Sequence, residues 1–160
     1  PRSCFHRPRS LGGFEYGKMM LKMNDRKFML LAIREARKST ESLRCGVMVV
    51  ENGKILVKAF NSQRKDNNST AHAEIKAISK AGIKLRDKNL ENCIVYCTCK
   101  PCAMCLSALT LAKIKKLVYG ISLNYIRKSI DIELNYVLSK SSHKFEVIPN
   151  FMETECKELL

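Results

Sequence analysis

The sequence contains no long hydrophobic run, no internal repeat and no low-complexity tract. A membrane-spanning helix needs about 20 consecutive apolar residues, whereas the best candidate here, residues 29–33, is short and flanked by Lys27 and Arg34. We therefore exclude a membrane span and expect no membrane partner. The 160 residues allow one domain of ordinary size. With 46% hydrophobic and 28% charged residues, the composition is typical of a globular protein rather than a disordered or fibrous one.

Acidic residues are scarce, because 15 Asp and Glu stand against 29 Lys and Arg, giving a formal net charge of +14. Such an excess attracts polyanions such as RNA, DNA or acidic lipid, but lysines on a solvated surface give the same total. Residues 1–22 are basic and contain prolines and paired glycines without periodicity. We predict that they form an irregular basic N-terminal arm, either cloning-derived or used for targeting, and that residues 23–160 form the folded domain.

Hydrophobic periodicity and turn residues predict alternating helices and strands. The dipeptide Asn52-Gly53 between two apolar runs is a strong β-hairpin signal, and Asp25 is a plausible N-cap for the first helix. This alternation predicts an α/β domain with helices on both faces of one sheet. The predicted strands are residues 45–50, 54–60, 93–96, 117–119 and 145–148, and the predicted helices start near residues 25, 70, 101, 130 and 152.

The eight cysteines do not indicate a secreted disulfide scaffold, because the chain is long for one and shows no secretory signal. Cys97, Cys99, Cys102 and Cys105 lie within nine residues, and such crowding indicates metal or redox chemistry. A redox pair and a closed four-cysteine zinc site are both open interpretations of this group. The remaining cysteines are scattered singly, and we interpret them as small buried hydrophobes.

Two short segments carry the candidate chemistry, and each opens a predicted helix. The first is residues 70–74 (TAHAE) and the second is residues 101–105 (PCAMC). The second segment places Cys102 and Cys105 three residues apart on one helix face, where the helix N-terminus favours thiolates. Zinc prefers tetrahedral Cys and His ligation, and three protein ligands leave a fourth position for water. His72 in the first segment completes that number of ligands. We therefore predict a catalytic zinc site.

Glu74, two residues after the histidine, is the candidate acid and base of this site. Bound zinc lowers the pKa of water towards about 7, and a carboxylic acid nearby can move the proton to the substrate. Side chains two apart on a regular helix point about 200° from each other. We therefore expect His72 at the edge of its helix if both side chains face one cavity, with Thr70 as a possible cap.

The pattern H-x-E at residues 72–74, followed by P-C-x-x-C at residues 101–105, is the signature of zinc nucleobase deaminases. On these motifs the chain resembles the cytidine deaminase superfamily, in the branch of tRNA-specific adenosine deaminases and guanine deaminases, over about residues 25–160. The resemblance implies a three-layer αβα sandwich with a mixed five-stranded sheet, one Zn²⁺ per chain and a homodimer. It also implies that Asn61 and Ala73 contact the substrate, although an Asn after a strand is also a common turn former.

The chain departs from the pattern of that branch at four places, all on the expected pocket rim or RNA-binding side. Lys100 stands where the branch usually has Glu, Asn68-Ser69 replaces Asp-Pro, residues 44–46 (RCG) replace a proline-led entry to the first strand, and residues 122–130 (SLNYIRKSI) lack a glycine-rich loop. The departures leave every predicted zinc ligand and the acid/base in place. They bear on the substrate rather than on the reaction.

The leading hypothesis is a zinc-dependent hydrolytic deaminase of a free base or nucleoside of guanine, cytosine or adenosine type, releasing ammonia. One alternative is adenosine-to-inosine deamination in a tRNA anticodon loop, which needs a base flipped out of its stack. Another is a non-catalytic nucleic-acid-binding or regulatory subunit that keeps the deaminase fold. We expect the protein in the cytoplasm, with organellar targeting by the arm as the alternative.

A basic cluster follows the second motif and is a candidate for phosphate contacts with tRNA or another nucleic acid. A solvated surface is the alternative interpretation of the same charges. The cluster consists of Lys113, Lys115, Lys116, Arg127 and Lys128.

Overall fold

The computed structural model describes residues 13–122 and 134–160. Within these ranges, helices and strands alternate after an initial long helix. In chain order the elements are α1 Gly13–Ala36, β1 Gly46–Glu51, β2 Lys54–Phe60, α2 Ala73–Leu85, β3 Cys93–Cys99, α3 Ala103–Leu111, β4 Lys116–Ile121, α4 Leu134–Lys140, β5 Glu146–Ile148 and α5 Glu153–Lys157.

The five strands form one mixed sheet in the order β2-β1-β3-β4-β5. β1 pairs antiparallel with β2 and with β3, whereas β3 and β4, and β4 and β5, pair parallel. The β1–β2 hairpin turns at Asn52 and Gly53, whose φ angles of 49° and 74° are both left-handed. Two-residue hairpins favour such turns because their twist matches that of the strands. The mixed five-stranded sheet confirms the predicted α/β fold class.

The strand directions bring two helix starts to one edge of the sheet. β2 and β3 are both antiparallel to β1, and β4 is parallel to β3, so β2, β3 and β4 all run the same way. Their C-terminal residues Phe60, Cys99 and Ile121 therefore lie at one edge, which we call the carboxyl edge. Because α2 follows β2 and α3 follows β3, both helices begin there.

The helices pack closely on this sheet and complete the αβα arrangement. α1 packs on β1, β2 and β3, and α2 packs on β1 and β2. At Gly46 the helix α1 comes so close that a Cβ atom would lie 2.1 Å from the carbonyl oxygen of Ala32, so only glycine fits. None of the helices in the described ranges is long and apolar enough to cross a lipid bilayer.

The first helix is longer than the sequence predicted. It begins at Gly13 rather than near Asp25, so the irregular conformation predicted for the arm is wrong for residues 13–22, while residues 1–12 lie outside the described part of the chain. Met, Leu and Lys, which are good helix formers, dominate residues 18–23. Asp25 lies inside the helix, where its carboxylate accepts a 2.5 Å hydrogen bond from the Tyr96 hydroxyl. Its role is therefore to attach α1 to the sheet.

Candidate metal centre

The backbone before α2 turns sharply and delivers His72 to the carboxyl edge. Asn68 organises the turn, because its side-chain oxygen accepts hydrogen bonds from the backbone nitrogen and the hydroxyl of Thr70, at 2.9 and 2.7 Å. His72 is the N-cap residue of α2, with extended backbone angles (φ −68°, ψ 150°) and no side-chain capping bond. Because His72 stands outside the regular helix, the angle of about 200° between side chains two residues apart on a helix does not apply to it. Its side chain can therefore face the same cavity as that of Glu74. The hydroxyl of Thr70 bonds to Asn68, so it does not have the capping role predicted for it.

The start of α3 is built in the same way. Cys102 is the N-cap residue, with extended backbone angles (φ −72°, ψ 173°), and Cys105 lies three residues later in the first turn. Cys105 is fully buried, whereas Cys102 is half-buried. The two motifs therefore present their side chains from two helix N-termini at one edge of the sheet.

Three ligand atoms meet at this place. The Sγ atoms of Cys102 and Cys105 are 3.6 Å apart, and they lie 3.7 and 3.5 Å from Nδ1 of His72. Tetrahedral zinc, with bonds of about 2.3 Å to sulfur and about 2.1 Å to nitrogen, sets its ligands about 3.8 Å (S to S) and about 3.6 Å (S to N) apart. The observed triangle agrees within 0.2 Å, so the donor set fits zinc in both chemistry and spacing. Among the residues that the structure describes, no other group of three or more His, Cys, Asp or Glu side chains could hold a metal ion.

The two cysteines have strongly displaced pKa values in opposite directions. The hydrogen bond with Cys105 and then the contact with His72 lower the pKa of Cys102 to about 3, against the opposing effect of burial. The same hydrogen bond, together with burial, raises the pKa of Cys105. The pair thus holds one thiolate, which is the form that a metal ion binds.

Glu74 is buried beside these thiols. It lies in the first turn of α2 and is only 4% exposed. Burial and then the negative charge of Glu74 raise the pKa of Cys97, and the same charge adds to the rise for Cys105. A carboxyl group at this position can exchange protons with a molecule held next to the three ligands.

Asn61 and Ala73, the predicted substrate contacts, lie on either side of the turn that leads to His72. The amide of Asn61 is buried, donating from Nδ2 to the Leu43 carbonyl and accepting at Oδ1 from the Cys45 amide, both at 2.8 Å. An amide side chain has two donor hydrogens and two acceptor lone pairs, so one of each remains for a ligand. Ala73 is fully buried at the first position of α2, where backbone N–H groups have no intrahelical partner.

The described lysines of the predicted phosphate-binding cluster do not lie beside this centre. Lys116 opens β4 and is paired with Ile94 near the start of β3, whereas the carboxyl edge is at the pair Cys99 and Ile121. Five residues of strand separate the two ends, about 17 Å at the usual rise. α3 connects the parallel strands β3 and β4 and therefore runs in the opposite direction to them. Lys113, which follows α3, thus lies at the opposite edge of the sheet, together with Lys115 and Lys116.

Two of these lysines are also engaged in ion pairs. Lys113 Nζ lies 3.5 Å from a carboxylate oxygen of Glu91, and Lys116 Nζ lies 3.6 Å from one of Glu146. Lys113, Lys115 and Lys116 therefore lie away from the metal centre, and their role as phosphate contacts stays a prediction. Arg127 and Lys128, the other members of the predicted cluster, lie outside the described residues.

Cys97 and Cys99 do not complete a four-cysteine site. Both belong to β3 and are buried in the core, and neither belongs to the group of ligand atoms formed by the histidine and the two later cysteines. The closed four-cysteine interpretation is therefore not supported, because the ligand atoms that come together in the described part of the chain are those of His72, Cys102 and Cys105.

The sequence matches one family model over residues 22–121, described as the cytidine and deoxycytidylate deaminase zinc-binding region. That range contains both motifs and the zinc-ligand candidates. Two curated relatives carry the name tRNA-specific adenosine deaminase. The protein of Buchnera aphidicola subsp. Baizongia pistaciae is 32% identical over 139 residues, covering 86% of this chain and 86% of the relative. The protein of Aquifex aeolicus is 39% identical over 100 residues, covering 61% of this chain and 66% of the relative, just under two thirds.

A solved structure shares the whole architecture. It comes from a study of A-to-I editing by tRNA:A34 deaminases at the wobble position of transfer RNA, and it superposes with a TM-score of 0.75 at 31% identity. The match covers 84% of this chain and 99% of that chain, so hardly any of the solved protein falls outside the common fold.

Proposed function

Because this chain belongs to the zinc-dependent deaminase family defined by the cytidine and deoxycytidylate deaminase zinc-binding region, we propose that it converts adenosine to inosine in a transfer RNA anticodon loop. The observation that carries the proposal is the nearly full-length likeness to a structure from work on tRNA:A34 deaminases. The curated relatives have the corresponding name. The chain has 29 basic and 15 acidic residues, and this excess of positive charge supports an RNA substrate.

In this proposal His72, Cys102 and Cys105 hold the zinc ion, which when bound supplies a Lewis acid and an activated water. The reaction is a hydrolysis without a change of oxidation state. At C6 of the adenine a C–O bond to the water oxygen forms, the C–N bond breaks, and the amino group leaves as ammonia. Glu74 takes one proton from the water and gives it to N1 of the ring, and it then takes the proton of the hydroxyl formed at C6 and gives it to the leaving amine, so the product carries a carbonyl at C6 and a hydrogen on N1.

The remaining named residues orient the base. Asn61 uses the one donor and one acceptor that its backbone contacts leave available, and Ala73 offers its backbone N–H from the start of α2. A base inside an RNA must leave its stack to reach such a buried centre. The free energy needed to unstack a nucleotide is smaller in a single-stranded loop than in a base-paired stem, which favours an anticodon loop over a duplex.

A substrate panel tests this proposal. We expect an anticodon stem-loop with adenosine at the first anticodon position to yield inosine and ammonia, measured by nuclease digestion with chromatography and by an ammonia assay. The apparent KM should rise roughly tenfold between about 50 and 200 mM salt, as two to three phosphate contacts predict. Free adenosine, cytosine and guanine serve as matched substrates without phosphates.

The panel also separates the other hypotheses. Turnover of a free base or nucleoside that is indifferent to salt, without inosine in the RNA, would contradict the RNA substrate and support the hypothesis that led the sequence analysis. Zinc-loaded protein that binds RNA but releases no ammonia from any member of the panel would support a non-catalytic subunit.

We further propose that the protein is a homodimer. Ile83 on α2 and Leu111 on α3 are 76% and 81% exposed, and a second copy of the chain would remove such apolar side chains from water. Light scattering after size exclusion is expected to give twice the chain mass. A monomer at micromolar concentration would contradict it.

A further inference from the structure

A lysine on α2 connects the two segments that carry the predicted substrate and metal contacts. Lys76 donates from Nζ to the Ser62 hydroxyl and, at 3.2 Å, to a carboxylate oxygen of Asp66. The Ser62 hydroxyl donates to the same Asp66 oxygen at 2.5 Å. We call these three residues the loop tether, because Ser62 and Asp66 belong to the loop of residues 61–69 between β2 and α2.

Two of the three residues of the loop tether are at least partly buried, and the third, Asp66, is 39% exposed. Ser62 is 2% exposed, and the side chain of Lys76 is only 26% exposed. The ammonium group of Lys76 also lies 5.3 Å from the centre of the Phe60 ring, a distance at which a cation is attracted to an aromatic face. Hydrogen bonds from Ser62 and Lys76 lower the pKa of Asp66, as expected for a carboxylate that accepts from two donors.

The loop tether acts between two functional segments. Lys76 stands one helical turn after His72, and its backbone nitrogen donates to the His72 carbonyl at 3.1 Å. On the other side, Ser62 follows Asn61 directly, and its backbone nitrogen donates to the Ala71 carbonyl at 3.1 Å. The cluster therefore links the strand end that carries Asn61 to the helix start that carries the histidine.

We propose that Lys76, acting through Ser62 and Asp66, is a positioning residue that keeps the 61–69 loop closed on α2 and thereby places Asn61 for the substrate base. The proposal rests on the role of Asn61 in the proposed function. The backbone of Asn61 is held from one side, because its N–H donates to the Cys45 carbonyl at 3.1 Å and its carbonyl accepts from the Ser39 hydroxyl at 2.8 Å. The contacts of Ser62 with Lys76 hold the following residue from the side of α2. Loss of the contacts with α2 leaves Asn61 held from one side alone, so its remaining donor and acceptor are less firmly aimed at the base, while the metal ligands are untouched.

Lys76→Met tests the proposal, because methionine keeps an unbranched apolar stem and removes the ammonium group. We expect KM for the stem-loop to rise about tenfold, the size of effect that follows from losing a charge-assisted hydrogen bond. The value of kcat should stay within about twofold, and zinc content should not change. Trypsin cleavage after Arg64 and Lys65 should become about tenfold faster, because cleavage follows the population of the open loop.

Three further variants make the test specific. Lys80→Met removes the same charge from an exposed position one turn later on α2, and it should change neither the tryptic rate nor KM beyond about twofold. Lys76→Arg keeps the cation and should restore most of the KM. Asp66→Asn changes an exposed loop residue without altering α2, and it should reproduce both effects even if Lys76→Met folds poorly.

Two results would overturn the proposal. The first is an unchanged KM and tryptic rate in Lys76→Met and Asp66→Asn. The second is an equal rise of KM in Lys80→Met, which would show that only the net charge matters. The tryptic measurement needs no substrate, so it judges the loop tether even if the wild-type protein fails to deaminate RNA. If the wild-type protein deaminates a free base instead, KM is measured on that base.

Discussion

Replacing Glu74 by glutamine is expected to lower kcat for deamination by about 10²–10⁴-fold, the usual contribution of a positioned general acid or base. Glutamine keeps the size and hydrogen-bonding ability of the side chain but cannot take up and return a proton. The metal ligands His72, Cys102 and Cys105 are untouched, so zinc content should equal that of the wild-type protein. Single-turnover inosine formation and elemental analysis of the same sample measure the two quantities.

The matched control is Glu35→Gln, the same chemical change at another buried glutamate. Glu35, in the last turn of α1, is 8% exposed and pairs at 2.8 Å with Lys38, which follows the helix. We expect this variant to lose a little stability and to keep kcat. If Glu74→Gln retained wild-type kcat with full zinc, the proposed proton transfer would be wrong.

Replacing Cys105 by alanine is expected to remove zinc and, with it, all measurable deaminase activity. Loss of a residue that only hydrogen-bonds to a metal ligand already weakens metal binding by about 10–100-fold. Loss of one of the three protein ligands should weaken binding more than this. The melting temperature should fall as well, because a metal bound only by the folded state adds its binding free energy to stability. Elemental analysis and thermal unfolding with and without added zinc measure these effects.

Cys93→Ala provides the control for burial. Cys93 and Cys105 are both fully buried, so both substitutions remove the same atoms from the interior, but Cys93 lies at the start of β3, away from the carboxyl edge. This variant should keep its zinc and its activity, with only the loss of stability that a small cavity causes. Equal zinc content in the two variants would show that the three-ligand centre does not bind the metal.

Local signals in the sequence were sufficient for much of the fold. The Asn52-Gly53 turn, the apolar runs beside it and the helix starts at the two motifs all depend on residues within a few positions of each other. The hairpin and the helix after each motif occur in the structure as predicted. Chemical type and spacing also singled out His72, Cys102 and Cys105, because zinc ligation requires those donors.

Features that depend on distant residues were predicted poorly. Asp25 is of a residue type that favours N-caps, but its side chain accepts a hydrogen bond from Tyr96, more than seventy positions away. No local sequence pattern predicts such a contact. The lysines after the second motif are close to it in sequence, yet α3 carries them to the opposite edge of the sheet. Lys76 attracted no interest in the sequence, since a lysine on a helix is usually a solvated residue.

The sequence by itself therefore determined the chemistry of this protein, since the identity of the donors and of the acid/base belongs to residue types and short spacings. Only the tertiary structure decided which side chains share the site. The direction of β2, β3 and β4 brings two helix starts to one edge, and chain reversals separate residues that are neighbours in sequence. For this reason the basic residues after the second motif, which contribute to the charge of +14, lie away from the three ligand atoms as far as they are described, whereas Glu74, distant in sequence from the cysteines, is buried near them.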